Sequence, residues 1–559
     1  MNQDHYMRHL TLQSTLKHSL SISDLHNSPV MLLFKTMINE NFQIPMSSDY
    51  ADYLRDESRR VGKAESISFP KSEIELADQL SLLNGRNILV TIQGARTGIT
   101  SGAVPDGGHI INLSRLNRIT GISRHPSKDA YILTVQPGLL LSELSTILKE
   151  RKFDTNGWTP ESMTTLEEFK SKGKYFFTPD PTETSASTGG IVSCNASGAR
   201  SFFFGATRPY VESLRIVLAD GSVIALKRNT VMASGKTFAI KTENGREIRG
   251  NIPAYQMPMV KNAAGYFAMD NMDLIDLFIG SEGTLGVFSE IGVTIIPMPA
   301  VIWGIMAFFP SEETAIKFVT AVRTAGARPT AVEFFNHGAL DLLRKQKECN
   351  PAFSQIPSIA REFHTAIYVE YQGNDEETVE NAVMNMSEIM VASGGSEDAT
   401  WLASEEAKLS QLKQFRHAVP EAVNLLIDER RKKEPALTKL GTDLSVPDEK
   451  LADVMKMYNT DLTEAGLEYA IFGHIGDNHV HVNIIPNSMD DYHRGKKLYL
   501  KWAEWVVAAG GSVSAEHGIG KLKVEMLKTM YGDNGIQQMK ELRQCFDSSN
   551  ILSRGNLFI

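Results

Sequence analysis

The sequence predicts an α+β protein of two or three domains, and three observations carry the expectation. Short β-branched runs alternate with turns from about residue 61 to 297, two strand, turn and helix units follow, and Pro297 and Pro299 in "GVTIIPMPA" stand between the two patterns. Proline cannot continue a central strand, so a domain boundary falls at 297. A chain of 559 residues also exceeds one core of ordinary size, and its 42% hydrophobic and 22% charged residues are those of a globular protein.

Taken in order, residues 1–60 read as a polar helical segment ending in "YLRDESRRVGKAESISFPKS". "NILVTIQG" and "YILTVQPG" read as strands, and "SLRIVLADGSVIAL" as a hairpin, because "ADG" separates two alternating apolar runs. Beyond the boundary, "VIWGIMAFFPSEETAIKFVTAVRTAG" and "TAIYVEYQGNDEETVENAVMNMSEIMVASGG" each read as strand, turn, helix. The run "DERRKKE" at 428–434 reads as a solvated helix end.

Several function classes are disfavoured by composition. No apolar run approaches the roughly 18 residues that span a bilayer. "MNQDHYMRHLTLQSTLKHSL" lacks the apolar core of a secretory signal, so a cytoplasmic location is expected, with a peripheral contact on the inner face of the membrane left open. A net charge of −9, with basic residues dispersed, argues against a nucleic-acid partner. Cys194, Cys349 and Cys545 form no CxxC pair, which leaves no disulfide framework or cysteine-ligated iron–sulfur cluster; electrons handled here must leave through a partner.

Three glycine-rich stretches need a reason: "QGARTGITSGAVP", "TSASTGGIVSCNASGAR" and "IGSEGTLGVFSEIG". Each can be a tight turn, and each can also let successive backbone N–H groups converge on an anion such as a pyrophosphate. No GxGxxG follows a strand, and "ASGKT" at 233–237 has Thr230 where a Walker loop needs its first glycine. In order, "RTGITSGAVP", "VQPG", "PDPTETSASTGGIVSCNASGAR", "RPYVESLRIVLADG", "KNAAGY" and "LFIGSEGTLGVFSEI" resemble the flavin-binding domain of the p-cresol methylhydroxylase (PCMH) and vanillyl-alcohol oxidase (VAO) superfamily, from about Tyr53 to Pro297. The resemblance implies FAD contacts from Gly94, Ala95, Arg96, Thr97, Gly98 and Gly102, from Pro137 and Gly138, and from Thr188, Gly189, Gly190, Asn195 and Gly198. Glu282, Gly283 and Ile291 form a second tier. The first loop has no histidine to carry a covalent flavin, and Cys194 reads as a small apolar packing residue, so the flavin is expected to be noncovalent.

"EYAIFGHIGDNHVHVNIIP" reads as strand, turn, strand, which puts His479, His481 and Asn483 on one face, with His474 at the turn. A lone histidine on a strand is ordinarily a packed core or surface residue. Two imidazoles converging with a carboxylate are suitable ligands for Zn²⁺, Fe²⁺ or Mn²⁺. The stretch, followed by "SAEHGIGK", resembles the C-terminal substrate domain of the FAD-linked D-2-hydroxyacid dehydrogenase branch, which includes the glycolate oxidase large subunit, D-lactate dehydrogenase and D-2-hydroxyglutarate dehydrogenase and carries "GHxGDGNxHxN" and then "EHGxG". That resemblance implies an α+β substrate (cap) domain with an antiparallel sheet over 298–559, its last 20 or so residues returning to a PCMH/VAO-type FAD-binding domain at 61–297. It also implies His474, His481 and Glu516 as metal ligands, His517 as catalytic base, and Arg416 and Asn483 as substrate-binding residues.

The chain departs from that pattern at three places. His479 stands where the family has asparagine and is a rival ligand. The family's substrate lysine falls on Gly441, with Lys439 two positions earlier. Residues 160–178 look like an insertion. The implied activity is oxidation of a D-2-hydroxy acid to the 2-keto acid by hydride transfer to flavin N5, with electrons passed to a quinone, electron-transfer flavoprotein, cytochrome or iron–sulfur partner. A homodimer is left open. Two other readings are an alkyl-dihydroxyacetone-phosphate-synthase-like flavoenzyme without net oxidation and a noncatalytic flavin-binding subunit. The first carries consecutive histidines where this chain has "SAEHG"; the second would lack the paired histidines and the Glu-His.

Overall fold

The computed structural model describes residues 42–179, 181 and 183–559. Most of the expected helical segment at 1–60 lies outside them. Within them Ile44–Pro45 is a strand, β1, and Ser48–Leu54 a 3-10 helix rather than an α-helix. The cause is local: "SDYADYL" has no buried residue and so no apolar face to hold an α-helix against a core.

The first sheet is small. β2 (Ser66–Ser68) and β3 (Val90–Gln93) flank β4 (His109–Asn112) in parallel, and β1 adds antiparallel to β2. The chain's closing segment lies along β3: the Val90 N–H donates to the Ile551 carbonyl (2.8 Å), and the Ser553 N–H donates to the Val90 carbonyl (2.7 Å).

The second sheet joins β5 (Ile119–Arg124), β6 (Tyr131–Val135), β7 (Tyr175–Phe176), β8 (Val211–Val217) and β9 (Val223–Lys227) around the long β12 (Val287–Pro297), in the order β5-β6-β12-β8-β9 with β7 on the end of β12. β8 and β9 are the "ADG" hairpin, and β10 (Thr237–Lys241) and β11 (Glu247–Asn251) form a separate one. The segment 160–178 supplies helix α1 (Pro160–Ser171) and β7. α1 buries Leu166 and Phe169, the Phe169 ring lying 5.3 Å from that of Tyr131 and 5.4 Å from that of Tyr175. It therefore covers one face of this sheet. Helix α2 (Thr188–Cys194) begins at the N-cap Ser187, whose hydroxyl accepts from the Gly190 N–H.

The third sheet is antiparallel throughout: β13 (Val301–Phe309), β14 (Ala331–Phe335), β15 (Thr365–Gly373), β16 (Thr400–Ala403), β17 (Leu440–Gly441), β18 (Tyr469–Gly473) and β19 (His481–Ile484), in the order β16-β13-β15-β14-β18-β19-β17. The two strand-turn-helix units supply β13 with α3 (Glu312–Thr324) and β15 with α4 (Glu376–Ala392). Ile305, Ala307 and Phe309 of β13 pack with Phe318 and Val319 of α3, whereas Met306 and Phe308 pack with Phe415 and Val419 of α5 (Glu406–Arg431). Covered on both faces, the strand is apolar at every position rather than at alternate ones. Among the described residues no helix is long and apolar enough to cross a membrane.

Candidate active site

The β18–β19 hairpin builds one wall of the site. β18 ends at Gly473, whose φ is 125°, and a Cβ there would meet His481 Cδ2 at 2.7 Å, so glycine is what lets the His481 ring lie back over the turn. The rings of His474 and His481 have centroids 5.5 Å apart, and Nε2 of each lies 3.3 Å from Glu516 Oε1.

Glu516 and His517 arrive on a loop tied down on two sides. Toward the third sheet, Ser512 bridges Ser445, and the Ala515 N–H donates to the Asp443 carbonyl (2.8 Å). Toward the first half of the chain, the Ile519 and Gly520 N–H groups each donate to the Glu282 carboxylate at 2.7 Å, and the Lys521 N–H donates to the Thr100 carbonyl at 2.9 Å. Gly520 has φ 51°, and a Cβ there would meet Thr100 O at 2.1 Å.

His517 places Nε2 3.5 Å from Glu516 Oε1 and Nδ1 3.4 Å from Asp443 Oδ1. Burial lowers its pKa to about 4 against the pull of Asp443 and Glu516, so the ring is neutral and able to accept a proton. Four charged residues not singled out from the sequence complete the cluster. Lys261 Nζ lies 2.7 Å from Glu516 Oε2, Glu333 Oε1 lies 2.7 Å from His474 Nδ1, and Asp443 accepts from Lys523 Nζ and Ser514 Oγ, both at 2.6 Å. Burial raises the Glu516 and Asp443 carboxyls, but the cations around them hold both well below the usual range. Burial likewise opposes the charge on His474, yet Glu333 and Glu516 outweigh it and push the imidazole up to about 9. One signal was in the sequence: Glu333 is the lone charge in the fully buried strand "AVEFF", and a buried carboxylate must be paired.

Arg416, on α5, lies 3.9 Å from Glu333 Oε2 with its guanidinium 5.0 Å from the Tyr368 ring centre. Asn483, Lys439 and Gly441 stand beside it on the wall of a cavity of about 460 Å³. Burial, with help from Arg59, pushes Lys439 down to about 8.

From this cluster the cavity runs to the glycine loops. Gly94, Ala95, Arg96, Thr97, Gly98 and Gly102 of the first loop line it, as do Pro137, Gly189 and Gly190, and then Glu282 and Gly283. No atom comes within 4 Å of where a Cβ on Gly98 would stand, so the loop faces open space there. Backbone N–H groups around an extended, largely apolar cavity suit a flavin dinucleotide.

The remaining expected contacts stand behind that wall. A Cβ on Gly138 would meet Leu113 O at 2.1 Å, so this glycine lets its turn pack on the 113–116 turn. The Thr188 hydroxyl donates to the Gln136 carbonyl (2.9 Å). Asn195 caps α2 with φ 48°. The Gly198 carbonyl closes a turn with Ser201. Ile291 lies mid-strand in β12, paired with Val135 and Leu214. Glu282 lines the cavity, but its carboxylate is engaged by the 519–520 backbone. The thiol of Cys194 is pushed up to about 12 by burial, with Glu282 adding, and so stays protonated and unsuited to attack on a flavin.

One ligand atom from each of His474, His479, His481 and Glu516 lies within 4.8 Å of the others, and Asp443, His481, Glu516 and His517 make an overlapping group. These imidazole and carboxylate donors suit a divalent transition metal.

Residues 298–557 match the family described as FAD linked oxidases, C-terminal domain, and residues 64–163 and 160–227 match the FAD binding domain. Curated relatives include a D-lactate dehydrogenase of Anaerostipes hadrus, 27% identical over 519 residues, covering 90% of this chain and 92% of that protein. They also include glycolate oxidase subunit GlcD of Bacillus subtilis, 25% identical over 88% of this chain and 89% of that protein, and D-2-hydroxyglutarate dehydrogenase of Stutzerimonas stutzeri, 25% identical over 94% and 97%. A solved structure of alkyldihydroxyacetonephosphate synthase superposes with a TM-score of 0.59 over 96% of this chain and 87% of that one, at 15% identity, a likeness of fold. The chain belongs to the FAD-linked oxidases, in the branch that holds these D-lactate, glycolate and D-2-hydroxyglutarate enzymes.

Proposed function

We propose that the protein oxidises a D-2-hydroxy acid of the lactate, glycolate or 2-hydroxyglutarate type to the 2-keto acid, using noncovalent FAD and one divalent metal ion. The observation that carries this reading is the position of His517, a neutral imidazole between Asp443 and the His474, His481 and Glu516 cluster, at one end of a cavity whose far end is made of the glycine loops. The names of the curated relatives agree with it. Residues 61–297 form the flavin domain and 298–559 the substrate domain.

When bound, FAD held by the lining loops supplies a hydride acceptor, and an ion held by His474, His481 and Glu516 supplies positive charge beside the substrate hydroxyl. The rest falls to the chain. Arg416 presents the planar fork that suits a carboxylate, with Asn483 and Lys439 beside it. His517 takes the hydroxyl proton on Nε2, while Asp443 keeps the resting proton on Nδ1 and stabilises the imidazolium that forms. Glu333 on His474 Nδ1, and the Thr442 carbonyl 3.0 Å from His481 Nδ1, turn both Nε2 atoms toward Glu516. Electrons then leave to a separate acceptor, and the location is cytoplasmic.

The test is anaerobic mixing of the FAD-loaded protein with D-lactate, L-lactate, glycolate and D-2-hydroxyglutarate while flavin absorbance is followed. Bleaching by a D acid and not by its L form is expected. A flavin that no D-2-hydroxy acid bleaches would identify a noncatalytic subunit instead, and turnover without lasting reduction would point to synthase chemistry.

A further inference from the structure

We infer that His479 is a fourth protein donor to the ion at this site, which makes the donor set three imidazoles and one carboxylate. The inference rests on the metal reading above and concerns a position where the resembling family's stretch has asparagine.

The His479 ring is wholly buried, with its centroid 4.5 Å from that of His481 and 5.5 Å from that of His474. All three rings are turned the same way, His474 and His481 by hydrogen bonds and His479 beside an oxygen at a distance of 3.1 Å without the direction of a hydrogen bond. Each turns one nitrogen outward to an oxygen: His474 Nδ1 to Glu333 (2.7 Å), His481 Nδ1 to the Thr442 carbonyl (3.0 Å), and His479 Nε2 to Asp443 Oδ1 (3.1 Å). Each turns the other nitrogen toward Glu516, and for His479 that atom is Nδ1, 3.9 Å from Oε2. For His474 and His481 the outward oxygen fixes the tautomer of the inward nitrogen, the arrangement that supports a ligating imidazole, and Asp443 stands in the corresponding place beside His479. A packed core histidine would be expected to satisfy its nitrogens, yet neither nitrogen of His479 makes a well-directed hydrogen bond among the described residues.

The four donor atoms lie within 4.8 Å of one another. Two ligands at about 2.1 Å from one ion stand at most about 4.2 Å apart, so a small contraction closes the site. The overlapping group that uses Asp443 is the poorer one. Both Asp443 oxygens are already occupied, Oδ2 by Lys523, Ser514 and the His517 N–H, and Oδ1 by the Glu516 N–H. Four protein donors close a tetrahedral Zn²⁺, whereas an ion that takes six ligands keeps positions open, so Mn²⁺, Fe²⁺ or Co²⁺ is the chemical class that leaves room for a substrate.

The FAD-loaded protein, stripped of metal by chelator and reloaded with Co²⁺ alone, is examined by X-ray absorption to count imidazoles, and its Co²⁺ affinity is measured by chelator competition beside His479→Asn. The expected result is three imidazoles in the parent, two in the variant, and an affinity loss above about 100-fold, more than the roughly 10- to 100-fold of a lost outer partner. Two imidazoles in the parent, or unchanged affinity in the variant, overturns the inference and leaves the metal reading standing. A parent that binds no ion overturns both. If His479→Asn does not fold, the parent's count still decides.

Discussion

Asp443 is wholly buried and gathers the Glu516 and His517 N–H groups, Ser514 Oγ, Lys523 Nζ, His479 Nε2 and His517 Nδ1 around one carboxylate. Asp443→Asn keeps the shape and removes the charge. Two separable effects follow. Lys523, itself buried, loses its counter-ion, and breaking such a pair costs about 3–5 kcal/mol, roughly 150- to 5,000-fold in the stability of this segment. Lys523, Ser514 and the His517 N–H draw the amide oxygen to the Oδ2 place, so the amide NH2 faces His517 Nδ1 in place of an acceptor, and flavin reduction by a D-2-hydroxy acid should slow by about 100- to 10,000-fold, the range for a misplaced base. Thermal unfolding followed by flavin fluorescence reads the first effect, and anaerobic stopped-flow absorbance reads the second. Adding Lys523→Met removes the orphaned ammonium, so the double variant should regain stability without regaining rate. Parental rates of flavin reduction in Asp443→Asn would refute the reasoning, because the proton would then leave without the Asp443–His517 pair.

Three further outcomes are expected. Arg416→Ala should raise the apparent dissociation constant for the acid by about 30-fold or more, the equivalent of roughly 2–5 kcal/mol for a buried charged contact, as measured by the substrate dependence of flavin reduction. Lys439 is depressed to about 8, so its cation is present below that pH and lost as pH rises through it; affinity for the acid should fall across the same window, and Lys439→Met should be weak and flat with pH. Acid precipitation should release all flavin into the supernatant, because residues 94–105 contain no histidine and the Cys194 thiol is held protonated; fluorescence remaining with the denatured band on a gel would reverse this.

Local pattern made much of the molecule legible. Alternating apolar runs marked β8 and β9, the prolines marked the end of β12, and of the three residues expected on one strand face His481 and Asn483 lie on β19, whereas His479 stands before it in an isolated bridge to Ser445. What it could not reveal was convergence between distant segments. Lys261 sits in the quoted string "KNAAGY" and Asp443 two residues after Gly441, yet nothing near them in sequence says that they meet Glu516 and His517. For the cofactor contacts the limit was different. Motif membership does not separate a backbone that faces a cavity, as at Gly98, from one that packs on a neighbouring turn, as at Gly138, since glycine serves close approach in both. Residues 44–54 failed for want of any apolar face.

The loop that carries Glu516 and His517 is moored to both halves of the molecule along its length: Ser512 and Ala515 hold to Ser445 and Asp443, Ser512 Oγ and the Ser514 carbonyl to Asn262 and Ala263, and Ile519, Gly520 and Lys521 to Glu282 and Thr100. Gly518, whose φ is 74°, lies among these attachments. Any change in how the two halves seat against each other must therefore be absorbed next to the reacting groups. Binding at either end of the cavity becomes a report on the other. An occupant among the glycine loops would stiffen the mooring that presents Glu516, and an ion on Glu516 and the hairpin histidines, as proposed, would hold the halves in the pose the loops require. By linkage each raises the affinity of the other by the same factor, so flavin and metal should dissociate as coupled ligands rather than as independent ones.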